Sequence, residues 1–168
     1  MALPIGLVAS PAGAATVGTT CKGASGTATF SPALPIVGAT AKVKSTVTIK
    51  NAKVTGCNGG GVTGGTFSAS LKFTVANNCS SLLAGGETGT KGTETITWNT
   101  KKTSTVALAL KGVKGKVTET NATGPVTKGV FAKAMQTGTL NYTLPAGECT
   151  KTALSKVTFK QITPIVNK

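Results

Sequence analysis

The segment Thr66-Phe-Ser-Ala-Ser-Leu-Lys-Phe-Thr-Val-Ala76 alternates without a break. Phe67, Ala69, Leu71, Phe73 and Val75 fall on one side, and Thr66, Ser68, Ser70, Lys72 and Thr74 on the other. A period of two is that of a half-buried strand, with successive side chains pointing to opposite faces. The same rhythm runs from Lys42 to Val54, where a phase slip at Lys50 and Asn51 implies a bulge before Ala52 and Val54. It recurs over Thr93 to Thr100, Thr103 to Leu110, Lys116 to Thr127, Gln136 to Leu144 and Ser155 to Ile162. With Gly26 to Ser31 at the front, the expectation is about eight strands. Pro32 and Pro35, Gly56 to Gly65, Gly85 and Gly86, Asn99 to Lys102, Gly112 to Gly115 and Pro145 to Gly147 mark the turns. No stretch carries a helical stripe; Val130 to Met135 comes nearest and is short enough for one turn. The 31 threonines favour a pleated surface over a helix.

At 168 residues the chain suits one domain. Residues 16–168 are expected to form a single antiparallel β-sandwich or flattened barrel. If every connection is a hairpin, Cys21 and Cys57 lie at one end of the strands and Cys79 and Cys149 at the other. A strand of about 12 residues spans roughly 40 Å, whereas a disulfide needs Cα atoms about 4.4 to 6.8 Å apart. Parity therefore pairs Cys21 with Cys57 and Cys79 with Cys149. The outward phase is rich in Lys and Thr, unlike the apolar girdle of an outer-membrane barrel.

The run Cys57-Asn-Gly-Gly-Gly-Val-Thr-Gly64 contains the letters of a dinucleotide fingerprint, Gly59-x-Gly61-x-x-Gly64. That fingerprint works by leading into a helix whose N-terminus meets pyrophosphate. Here it leads into an alternating strand, and the expectation is a hairpin loop pinned at Cys57. The chain has no His, Asp or Arg, which leaves few bases for a Ser or Thr nucleophile. Ser45 with Lys44, and Ser155 with Lys156, are adjacent on strands and point to opposite faces. Glu94 and Glu119 could meet across strands as a glycosidase pair, but isolated glutamates on a strand normally solubilise its wet face. No catalytic residue, cofactor or metal site is expected.

Eighteen lysines against 4 glutamates give a net charge of +14. Such a charge attracts polyanions without reading their sequence. The lack of Arg and the few aromatics argue against specific nucleic-acid recognition, which leaves anionic cell-envelope polymers as the candidate partner. The alternative is a lysine surface that only maintains solubility and blunts strand edges. Lys42, Lys44, Lys50 and Lys72 are the candidate contacts, since a neighbouring strand could extend Lys42 and Lys44 into a stripe. Trp98 and Tyr142 are the candidate sugar-stacking platforms, although both share the apolar phase of their strands.

Residues 1–15 pass from an apolar segment to Ala12-Gly13-Ala14, the pattern of an export signal and its cleavage site, without the usual basic start. That is the form of a signal truncated at its beginning. No later stretch approaches the roughly 20 apolar residues of a membrane helix, so the product is expected to be secreted or held at the cell surface. Thr20-Cys21, the segment Gly26 to Phe30, Val54-Thr-Gly-Cys57, Gly64-Gly-Thr66 and Thr95-Ile-Thr-Trp98-Asn99 resemble small secreted all-β proteins of actinobacteria. The resemblance implies an all-β fold and no assigned activity, and this chain is richer in lysine than that group. The functional expectation is a non-enzymatic module held electrostatically on envelope polymer. The alternatives are a structural or self-assembling surface protein, and a carbohydrate- or small-ligand-binding module.

Overall fold

A computed structural model describes residues 18–84, 89–163 and 165–167. The strands are β1 (Thr19–Leu34), β2 (Thr46–Asn58), β3 (Gly64–Phe73), β4 (Thr90–Trp98), β5 (Thr103–Gly112), β6 (Glu119–Gly129), β7 (Met135–Thr143), β8 (Leu154–Gln161) and β9 (Ile165–Asn167). One short helix, α1 (Cys79–Leu83), lies between β3 and β4. Each of β1 to β7 pairs antiparallel with the next, and β8 returns to pair with β1. The flattened sheet is therefore a closed eight-stranded barrel. β9 carries on where β8 ends, pairing with β1 at Thr19 to Cys21 and with β7 at Gln136 and Thr137.

The sequence rhythm predicts these strands because alternation places one apolar face inward along each of them. Val47, Ile49, Ala52 and Val54 are buried on β2, and Phe67, Ala69, Leu71 and Phe73 on β3. The register between β2 and β3 slips between Ile49 and Ala52, and Asn51 adopts a left-handed φ of 51°. The bulge thus sits at the Lys50 and Asn51 phase slip, and the Asn51 N–H is satisfied by Ser68 Oγ at 3.1 Å. Three expectations are corrected. The first strand begins at Thr19, seven residues before Gly26, because it pairs with β2 along nearly its whole length. β3 stops at Phe73, so Val75 is half exposed. Helix α1 also escapes a search for helical stripes, since five residues make little more than one turn. It is held by a capping box in which Asn78 accepts from the Ser81 N–H and Ser81 Oγ accepts from the Asn78 N–H.

The two predicted disulfides are present, Cys21 to Cys57 and Cys79 to Cys149. Cys21 and Cys57 face each other across the β1/β2 ladder, at the base of the barrel. Cys79 opens α1 and Cys149 lies in the β7–β8 connection, so their bond spans the opposite end. At the base, Trp98 is buried, meets Phe131 edge to face at 5.5 Å, and donates from Nε1 to Ser104 Oγ at 2.8 Å. Among the described residues no helix is long and apolar enough to cross a membrane. The residues read as an export signal lie outside the described ones.

Candidate functional site: a cavity at the mouth of the barrel

Where β1, β3, β5 and β7 end, the barrel interior is not filled. A cavity of about 90 Å³ opens there, walled by the rings of Phe30, Phe73, Tyr142 and Phe159 and by Leu110 and Leu140. Inward positions at this end include Ala28 and Gly112, too small to reach the axis. An eight-stranded barrel has just enough width to be filled by its own side chains or to hold one small molecule. Small residues at the mouth tip the choice toward a space. Leu82 of α1 and the β5–β6 connection, with Lys116 and Val117, complete the rim.

The polar groups of this wall are mostly engaged. The Tyr142 hydroxyl donates to the Val117 carbonyl, and burial pushes its pKa up to about 12. Lys116 Nζ lies 3.9 Å from Glu119 Oε1 at the rim. Thr90 differs: it is 4% exposed, it lines the cavity between Phe73 and Leu110, and its Oγ1 has no hydrogen-bond partner.

Deeper in the barrel, Gln136 Nε2 on β7 donates to Glu94 Oε2 on β4 at 2.7 Å. The bond crosses the interior, and the neighbouring inward residues are small: Ala69 opposite Glu94 and Gly124 opposite Gln136. Burial pushes the Glu94 pKa up to about 7, against the lowering effect of the Gln136 bond. Glu94 is thus no solubilising charge on a wet face. Its even phase, shared with Ile96 and Trp98, was the signal that places it inside. Glu94 and Glu119 do not meet, for the row through Glu94 and Val106 reaches β6 at Val126. That is seven residues, or about 23 Å, along the strand from Glu119.

The remaining sequence candidates fall into separate places. Trp98 is core, so it offers no sugar platform, and Tyr142 faces the cavity. Ser45 is buried and donates to the Pro32 carbonyl at 2.6 Å, while Lys44 is exposed. Ser155 and Lys156 are both exposed, and Ser155 Oγ contacts Glu148 Oε1 at 3.3 Å. Every described lysine is exposed, and β1 to β6 and β8 all carry at least one. Within that spread, Lys72 lies opposite both Thr46 and Lys91, and Lys44 lies two residues ahead of Thr46, before β2 begins. Lys72 and Lys91 therefore sit side by side near the mouth edge of β3 and β4, whereas Lys42 and Lys44 lie ahead of β2, flanking Val43, which bridges to Asn77. Lys50 sits apart at the bulge, four residues or about 13 Å from Thr46.

The glycine run makes the β2–β3 hairpin at the base, and the next element is β3. A side chain at Gly60 would meet the Phe131 ring at 2.2 Å, so the loop lies against the aromatic floor of the barrel. Among the described residues no three acidic, Cys or His side chains cluster as metal ligands do. Comparison of the chain with protein-family models, with curated proteins and with solved structures finds no match.

Proposed function

We propose that the protein is an extracellular binding module that holds a small apolar molecule in the mouth of its barrel, without transforming it. The observation that carries this reading is the cavity, whose wall is almost wholly aromatic and aliphatic although it opens to water. An apolar concavity with few polar groups is the usual form of a small-molecule site. Two disulfides, one of them closing over the mouth end, suit an oxidising compartment. Assembly by strand addition has little to work with, because a closed barrel exposes no long free edge.

Toluene titrated into the protein, followed by methyl NMR, tests the proposal. Saturable shifts at Val47, Leu110, Leu140 and Val157, with little change at Val62 near the base, are the expected result. Shifts that never saturate, or that spread over the whole core, would refute it.

A second reading concerns the outer wall, where Lys72 and Lys91 share the outward surface of β2 to β4 with Thr48, Ser70, Thr93 and Thr95, and the exposed Lys44 lies just ahead of β2. No glutamate faces outward from these three strands. Hydroxyl donors and ammonium groups without a competing carboxylate favour an anionic polymer of the cell envelope, held by charge and not by sequence.

A further inference from the structure

We propose that the mouth cavity takes a compact, uncharged lipophile carrying one hydroxyl or carbonyl group, and that this group hydrogen-bonds Thr90 Oγ1 once the side chain turns about χ1. As the side chain stands, Oγ1 is shielded from water. The inference rests on the cavity being a binding site and adds the chemistry it selects. Thr90 begins β4 with its side chain in the inward phase, opposite Phe73 on one side and Leu110 on the other. A buried hydroxyl without a partner is costly, and valine would fill the same volume without that cost. Of the other polar groups of the wall, the Tyr142 hydroxyl is spent on Val117, while Lys116, Glu119 and Thr120 belong to the β5–β6 side of the mouth and not to the β3–β4–β5 wall around Thr90.

Because a threonine hydroxyl can both donate and accept, it matches an alcohol, a ketone or an ether. It does not match an ionised group, which would be buried among phenyl rings with one neutral partner. Size narrows the class further. The cavity measures about 90 Å³, less than the roughly 150 Å³ of an apolar cavity known to take benzene. One ring is its upper limit, so a benzyl-sized molecule whose polar group meets Thr90 leaves part of its ring in the open mouth.

Benzyl alcohol and toluene form the matched probe pair, titrated by methyl NMR into the native protein, Thr90→Val and Thr90→Ser. Thr90→Val is expected to weaken benzyl alcohol about tenfold, the loss typical of one buried hydrogen bond, while leaving toluene unchanged or tighter. Thr90→Ser should keep the native ratio. If Thr90→Val alters both affinities alike, or neither, Thr90 does not read the polar group and the inference fails. If neither probe saturates in the native protein, the cavity reading itself fails. Intermolecular NOEs in the native protein need no variant: contacts from the benzyl alcohol CH2 to the Thr90 γ-methyl are expected, and contacts only to the rim at Val117 would overturn the inference.

Discussion

Glu94 and Gln136 place a carboxyl group and an amide together in the middle of the barrel, and their chemistry sets a pH dependence. Gln136 Oε1 is buried without a partner. Protonation of Glu94 brings a hydrogen-bond donor beside it, and removes a charge that burial disfavours. The folded pKa of about 7 stands above the ordinary glutamate value of 4.5. The folded state therefore holds the proton more tightly than the unfolded chain. The stabilisation is complete below pH 4.5, declines as pH rises toward 7, and is gone above it. The gap corresponds to about 3 kcal/mol. Urea unfolding at pH 4.5 and pH 8 should show a loss of that order. Glu94→Gln, which keeps a neutral acceptor for Gln136, should flatten the dependence and stabilise the protein at pH 8. An equally steep dependence in Glu94→Gln would show that another group causes it.

Turns and hairpins differ in what their glycines are for, and the β2–β3 hairpin separates the two uses. Gly59 has φ of 109°, and a Cβ there would lie 2.4 Å from the Gly18 carbonyl oxygen. Gly61 has φ of 71°, but a Cβ there would meet nothing within 4 Å. Gly61→Ala should cost only the left-handed backbone, about 1 kcal/mol. Gly59→Ala adds a clash with backbone that cannot swing away, and should cost several times as much. Denaturant midpoints of the two variants decide this, and equal losses would mean that the loop moves off β1 freely. The tight spacing has a reason at this scale: Thr19 Oγ1 donates to the Asn58 carbonyl at 3.2 Å, so the loop is drawn onto the start of β1. The strands themselves were legible because alternation is a local property. Their ends were not, since β1 owes its first seven residues to pairing with β2 and β9.

In the whole molecule, the two disulfides close loops of different kinds. The Cys79 to Cys149 bond spans 70 residues and ties α1 to the β7–β8 connection. The Cys21 to Cys57 bond spans 36 and joins strands that already pair. Loop entropy alone assigns each about 4 kcal/mol. Their effects on the cavity should differ: Cys79→Ser with Cys149→Ser should weaken toluene binding, whereas Cys21→Ser with Cys57→Ser should leave it near native as long as the barrel remains folded. Equal weakening, read by the same methyl titration, would show that the mouth is not held by the upper bond. The charge of the outer wall is testable separately. Reversing Lys44, Lys72 and Lys91 to Glu should lower retention on polyphosphate at low salt and flatten its salt dependence. The same reversal at Lys101, Lys128 and Lys133, toward the base, should do less. Equal loss from both sets would mean that net charge matters and the local grouping does not.

Periodicity decided strand identity, the inward faces and the bulge at Asn51, because each depends on residues next to one another in the chain. Hairpin parity decided the disulfide pairing for a related reason, as it requires only a strand count and the rule that short connections reverse direction. Closure into a barrel came from the return of β8 to β1, a contact between the first and last parts of the chain that alternation leaves equally open to a sandwich. The cavity was likewise out of reach. Phe73, Leu110 and Leu140 read as core in either case, and only the three-dimensional spacing of the walls, set by Ala28 and Gly112 at the mouth and by the Glu94 to Gln136 bond below, decides whether inward side chains meet or leave room.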